Sequence, residues 1–268
     1  MDPRHPEPIV LVVDQRTGTL EVVATDTTVT RVVADGNAAE QLQVRQEGGT
    51  VFVRQPSGLL GKTGRQLRVR VELPTRSNVR VQAASTDVRT TGLLGTVAVE
   101  TGSGEVSLEA AEGGFEVRAG SGNVRLGRGD AHVRSGSGDV WIGEADVVAC
   151  SVGSGDVSVD QARDIGVKSG SGDVRIGRAQ GNTRLHSSSG DVSVEELWRG
   201  EVHVSTASGD VRLGIAAGVP VWVEVDTVTG DLQSDLAERG RPGEGQEYLA
   251  LHLRTVSGDI VLKEFSLR

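Results

Sequence analysis

Eight carboxylates recur at one position of a short phrase: Glu105, Asp139, Asp156, Asp173, Asp191, Asp210, Asp231 and Asp259. Stacked one strand spacing apart they would form a self-repelling ladder, and divalent cations relieve such repulsion. The phrase is similar to the Gly- and Asp-rich calcium repeats of bacterial toxins, but those are nine residues long with a further Gly and a fixed carbonyl pattern. The expectation is therefore a structural turn, each Asp bonding the amides of its own turn and arginine columns neutralising the ladder. A polysaccharide lyase would need a local carboxylate cluster with an Arg base on one coil, whereas acids and bases here repeat evenly, and no catalytic residue is expected.

Other chemistry is sparser. His132, His203 and His252 share one outward position seven before the anchor, but in coils far apart, so they are expected to be solvated strand residues unable to converge on a metal. Gly61-Lys62-Thr63 resembles the end of a phosphate-binding loop, yet the Gly required five residues earlier is Pro56 and no helix pattern follows. The single cysteine, Cys150, rules out an internal disulfide and reads as a small buried hydrophobe. No cofactor is expected. Net charge of −9 argues against nucleic-acid binding. The apolar run Ile9 to Val13 is far too short to span a bilayer, and Met1 to Pro8 lacks a signal pattern, so the chain as written is expected to be cytoplasmic, with envelope association left open.

The elements that must position these residues follow from the repeat. The phrase Ser-Gly-Asp-Val is intact at Ser137–Val140, Ser154–Val157, Ser171–Val174, Ser189–Val192 and Ser208–Val211. Looser copies centre on Asp87, Glu105, Asn123, Asp231 and Asp259, and successive anchors from Asp87 are 18, 18, 16, 17, 17, 18, 19, 21 and 28 residues apart. Six before the anchor stand Val99, Val117, Val133, Cys150, Val167, Leu185, Val204, Val225 and Leu253. The columns eight before, one after and three after are apolar almost throughout. Columns two apart are the strand period, and arginines fill the alternate positions.

A period of 17–18 residues is too short for a helix-containing repeat but fits one coil of a parallel β-solenoid. The fold expected is all-β: a single solenoid, right-handed by the rule for parallel crossovers. Residues 1–78 would hold a first coil, through Thr17-Gly18-Thr19-Leu20, and an antiparallel cap; residues 79–268 would hold the repeats, with a surface loop at 235–247. The cap comprises a hairpin at 41–55, turning at Glu47-Gly48-Gly49, and a third strand from Leu67 to Leu73 ending at Pro74. Gly before the anchor allows a turn other residues resist. The Ser or Thr four before the anchor and the Ser two before it are both expected to face inward and to bond along the stack.

Alternating N-terminal strands ending in Leu73-Pro74, followed by serial Ser-Gly-Asp-Val phrases, resemble the bacterial "putative adhesin" family of β-strand-repeat proteins with a domain of unknown function, over roughly 9–263. The resemblance implies a non-enzymatic binding or scaffold module acting on a protein or surface polymer. Two alternatives remain: a self-assembling structural protein similar to the bactofilins, forming homo-oligomers through solenoid ends or faces, and a calcium-stabilised or carbohydrate-active β-helix. A narrow core of Val, Leu, Ile and Ser leaves no deep pocket, so contacts should lie on outward faces or end caps, with Trp141 beside Arg125 and Arg175 as the candidate surface. Asp139, Asp156, Asp173, Asp191 and Asp210 form the structural turn ladder.

Overall fold

The computed structural model describes residues 7–36, 39–56, 67–236 and 248–265. The Gly61-Lys62-Thr63 phrase and nearly all of the expected 235–247 loop lie outside them. The chain divides into two compact units, Met1–Ser137 and Gly138–Arg268. Asn78, where the repeats were expected to begin, is the first residue of a strand in the first unit. Both units are built from strands, with one short 3-10 turn at Ala39–Gln41 and no α-helix among the described residues.

The first unit contains β1 (Val10–Thr25), β2 (Arg31–Asp35), β3 (Gln43–Glu47), β4 (Thr50–Arg54), β5 (Arg68–Pro74), β6 (Asn78–Leu94), β7 (Val97–Ser103), β8 (Val106–Ala111), β9 (Phe115–Ser121), β10 (Val124–Arg128) and β11 (Ala131–Ser137). β1 and β6 pair in parallel register from Val10↔Asn78 to Val23↔Thr91, which sets Gly18 and Thr19 against Thr86 and Asp87. The first coil read from Thr17-Gly18-Thr19-Leu20 is thus present, with Leu11, Val13, Leu20 and Val22 all buried. It is not the outermost coil. β4 and β5 pair in parallel with β1 on its other edge, and β3 and β2 pair antiparallel with β4 and β5. The excursion after β1 therefore folds back outside it. Beyond β6 the coils follow in chain order, Val79↔Val97↔Phe115↔Ala131 giving the rungs of one sheet.

The second unit contains β12 (Val140–Ser154), β13 (Val157–Ser171), β14 (Val174–Ala179), β15 (Thr183–Ser189), β16 (Val192–Leu197), β17 (Gly200–Ser208), β18 (Val211–Ala216), β19 (Val221–Thr229), β20 (Leu232–Ser234), β21 (Leu249–Ser257) and β22 (Ile260–Phe265). Cys150↔Val167↔Leu185↔Val204 forms one inward column and Val140↔Val157↔Val174↔Val192↔Val211 another. All these residues are at most 4% exposed. Arg134 and Lys168, on the alternate parity, are exposed.

At the C-terminal end the order of coils departs from the order of the sequence. β17 pairs with β21, and β21 pairs with β19, so the segment 249–265 inserts between 200–216 and 221–234. The same holds for β18, β22 and β20. The 21- and 28-residue spacings are thus the arms of an excursion and not widening coils. The outermost coil pays for its position in exposure: Leu232 is 48% exposed, against 1% for Ile260 in the neighbouring rung.

The hydroxyl columns divide. Ser135, Ser169, Ser187, Thr206 and Thr255 are buried, whereas Ser137, Ser171, Ser189, Ser208 and Ser257 are exposed. Both were expected inside. The chain breaks strand alternation between these two positions as it leaves the sheet. Of the inner hydroxyls, those of Ser135 and Thr206 turn back to the carbonyl two residues on, each at 3.3 Å, whereas those of Ser169, Ser187 and Thr255 are buried without a hydrogen-bond partner among the described residues.

Cys150 is 4% exposed and burial pushes its thiol up to about 12. Native protein at pH 8 should react with a thiol reagent far more slowly than unfolded protein; fast stoichiometric labelling would show the column to be wrongly placed. Val167→Asp should cost about 3–5 kcal/mol, because an unpaired charge would enter that column, and wild-type urea unfolding of this variant would contradict the register.

Candidate functional site

Each Ser-Gly-Asp-Val phrase forms a corner between two strands. Gly172 and Gly209 adopt φ of 113° and 135° there, and a Cβ on either would sit 2.2 Å from the carbonyl oxygen of the equivalent glycine in the neighbouring coil. Only glycine satisfies both conditions. The next amide, that of the Asp, points back to the preceding coil, where the preceding Asp side chain accepts it. Asp139, Asp156, Asp173 and Asp191 take the N–H groups of Asp156, Asp173, Asp191 and Asp210 at 2.9–3.0 Å. The chain of bonds continues from Asp259 N–H to Asp210 and from Asp231 N–H to Asp259, following the spatial order of the coils. The carboxylates therefore bond the next coil and not, as expected, their own turn.

Arginines two residues after the anchor bridge successive carboxylates. Arg175 donates to Asp156 at 3.0 Å and to Asp173, and Arg212 donates to Asp191 at 3.1 Å and Asp210 at 2.7 Å. The Asp173 amide, and then Arg175, hold the Asp156 carboxyl below its usual range; the Asp210 amide and Arg212 do the same for Asp191. One oxygen of Asp156 and of Asp191 is taken by an amide and the other by a guanidinium.

Trp141 is half-buried, and its indole N–H donates to Asp160 at 3.0 Å. It lies in one rung with Ser158, Arg175, Ser193 and Arg212. Arg125 belongs to β10 of the first unit, exposed and in register with Ser107. Sequence reasoning missed a groove of about 510 Å³ in the second unit, lined by Arg178, Trp198, Arg199, Val219, Pro220 and Tyr248. Trp198 packs edge-on against Phe265, ring centroids 6.1 Å apart. Arg178 pairs with Glu196 at 2.6 Å, and Tyr248 is 45% exposed. Of this lining, Arg178 belongs to the repeat strand β14, whereas Trp198, Arg199, Val219, Pro220 and Tyr248 lie between strands.

The expectation for the histidines is corrected by the coil order. His203 and His252 occupy directly paired positions of β17 and β21, with rings stacked at 4.6 Å and 9°. His203 Nε2 is 2.8 Å from Glu201 Oε1 and His252 Nε2 is 3.7 Å from the same oxygen. The bond from His203 lowers the Glu201 pKa. Their shared outward column was the usable signal; sequence distance hid it, because 221–234 is displaced outward. His132, in the first unit, is exposed and in register with Glu116.

The chain belongs to the Toastrack DUF4097 family, whose model matches residues 128–267. No curated protein matches the sequence. Among solved structures, a "putative adhesin" of Bacteroides fragilis NCTC 9343 is 15% identical, with 97% of this chain and 93% of that one covered and a TM-score of 0.45. A "putative cell adhesion protein" of Clostridium sporogenes ATCC 15579 is 12% identical, with 99% and 96% covered and a TM-score of 0.24. A "putative lipid binding protein" of Parabacteroides distasonis ATCC 8503 is 11% identical, with 97% and 93% covered and a TM-score of 0.34. No helix among the described residues is long and apolar enough to cross a membrane.

Depressed carboxyl pKa values mean that the folded state binds protons less readily than the unfolded chain. The ladder's contribution is thus fully present above the ordinary Asp value near ~3.9 and is lost as pH falls through the lower folded values. Asp191→Ala should destabilise by about 1 kcal/mol at pH 7, discounted for its exposure. The penalty should shrink in urea unfolding at pH 2.5; an equal penalty at both pH values would refute the ladder's role. Millimolar calcium should leave the melting temperature of chelator-treated protein unchanged, since the oxygens of Asp156 and Asp191 are already bonded, and a rise of several degrees would show that the ladder binds it.

Proposed function

We propose that this protein is a non-enzymatic β-solenoid binding or scaffold module, adhesin-like in the sense of holding a partner protein or surface polymer without transforming it. The groove bounded by Trp198, Pro220 and Tyr248, with Arg178 and Arg199 at its rim, carries this reading. Concave surfaces lined by aromatic and apolar groups with a few polar ones are where ligands bind, and Trp, Tyr and Arg dominate binding energetics at interfaces. The Trp141 indole is bonded to Asp160 and the Arg175 guanidinium to Asp156 and Asp173, whereas the groove presents the 45% exposed Tyr248 ring, which favours the groove over that rung as the contact surface. In this reading the coils wind right-handed, as parallel crossovers do, and β2 and β3 cap the outer edge of the first unit, closing strands that would otherwise invite further pairing.

Self-assembly is the second reading, favoured by the outermost coil of the second unit, where Trp222 is 42%, Val228 73% and Leu232 48% exposed. Coils are built to stack, so an uncovered apolar coil offers a surface to another copy.

Quantitative pull-down from bacterial lysate and from purified envelope polysaccharide tests the first reading. A Tyr248→Ala, Arg199→Ala variant should lose material recovered by wild type, while a Trp141→Ala, Arg175→Ala variant retains it. The opposite result moves the surface to the Trp141 rung, and equal recovery by all three proteins removes both. Sedimentation velocity over a concentration series checks the second: Leu232→Arg should abolish any growth in particle size that wild type shows.

A further inference from the structure

We infer that Glu201, His203 and His252 form a binding site for a zinc-class divalent transition metal, with Glu224 orienting His252. The three candidate ligand atoms all lie within 4.8 Å of one another. A tetrahedral ion with bonds of ~2.0–2.1 Å needs its ligands about 3.3 Å apart. The separations of 2.8 Å and 3.7 Å from Glu201 Oε1 to the two Nε2 atoms straddle that value. His252 Nε2 must move closer to Glu201, and the two stacked rings must rotate out of their parallel arrangement so that their lone pairs converge, at a surface where His203, Glu201 and His252 are 41%, 48% and 33% exposed.

Glu224 supplies the second observation. His252 Nδ1 is 2.9 Å from Glu224 Oε2. A proton held at Nδ1 by that carboxylate leaves the His252 Nε2 lone pair available to an ion, which is the carboxylate–histidine arrangement that orients and strengthens metal-binding imidazoles. At His203 the ion would take the place of the Nε2 proton shared with Glu201. His203, His252 and Glu224 form one rung across three coils, and Glu201 is fixed from the backbone, its N–H donating to Asn182 Oδ1 at 3.1 Å. Opposite Glu201 in the next coil stands Ala250, and opposite Ala250 in the outer coil stands Trp222. Two imidazoles and a carboxylate suit zinc, nickel or copper and are a poor set for calcium, which takes oxygen ligands. Three protein ligands leave a fourth position for water. The bound ion would tie β17 to β21 across 49 residues of sequence, at the point where the coils leave chain order.

Zinc titration of the chelator-treated full chain by calorimetry, with cobalt as the spectroscopic substitute, tests the site. One equivalent should bind, and cobalt should give the intense visible absorption of a tetrahedral complex. His203→Ala and His252→Ala should each weaken zinc binding at least about tenfold and Glu224→Gln by about ten- to a hundredfold, while His132→Ala binds as wild type. Equal affinity in wild type and the His203→Ala, His252→Ala double variant overturns the proposal, as does a cobalt spectrum unchanged from the aqueous ion. Should a variant fold poorly, the wild-type proton NMR spectrum decides: zinc must shift the ring resonances of His203 and His252, and unshifted rings overturn the site.

Discussion

A carboxylate oxygen of one coil accepts the backbone N–H of the aspartate in the next, and the second unit's stacking depends on that bond recurring without slippage. It recurs because the residue before the aspartate is glycine. At Gly172 and Gly209 the backbones of adjacent coils approach so closely that any Cβ would overlap a carbonyl oxygen. Slip one coil by a residue and a side chain enters this gap while the aspartate loses its amide. The corner thus acts as a register lock, which matters because a one-residue slip in a strand exchanges its buried and exposed faces.

Once register is held, the core needs little specificity. Columns such as Val140, Val157, Val174, Val192 and Val211 place identical β-branched side chains one above another, and stacking alone removes each from water. The same repetition governs the outside. Arg175 and Arg212 each meet the carboxylate of their own coil and that of the preceding one, setting positive charge between carboxylates of the column. Asp156, Asp173, Asp191 and Asp210 thus have both oxygens bonded within the row, whereas the Trp198 groove and the displaced coil lie where the repetition fails.

The columns were legible because burial in a strand leaves a period of two and a coil leaves a period of 17–18, both visible without coordinates. The corner was legible in its residues and not in its bonding. A sequence shows Gly followed by Asp, but whether the Asp reaches its own turn or the neighbouring coil depends on which amide points at it. The inward or outward sense of the second serine was misread for a similar reason, since alternation ends where the chain leaves the sheet.

What the sequence by itself determined is local and periodic: all-β coils, their inward columns, the glycine corners, the hairpin from Gln43 to Arg54 and the first coil around Gly18. What only the tertiary structure decided is the order in which coils stack. β4 and β5 lie outside β1, and 221–234 lies outside 249–265, because every coil carries an equivalent edge and nothing in a coil's own residues names its neighbour. Connections of different length select among these equivalent pairings. That selection brought His203 and His252 together across 49 residues, and no column alignment in chain order could have paired them.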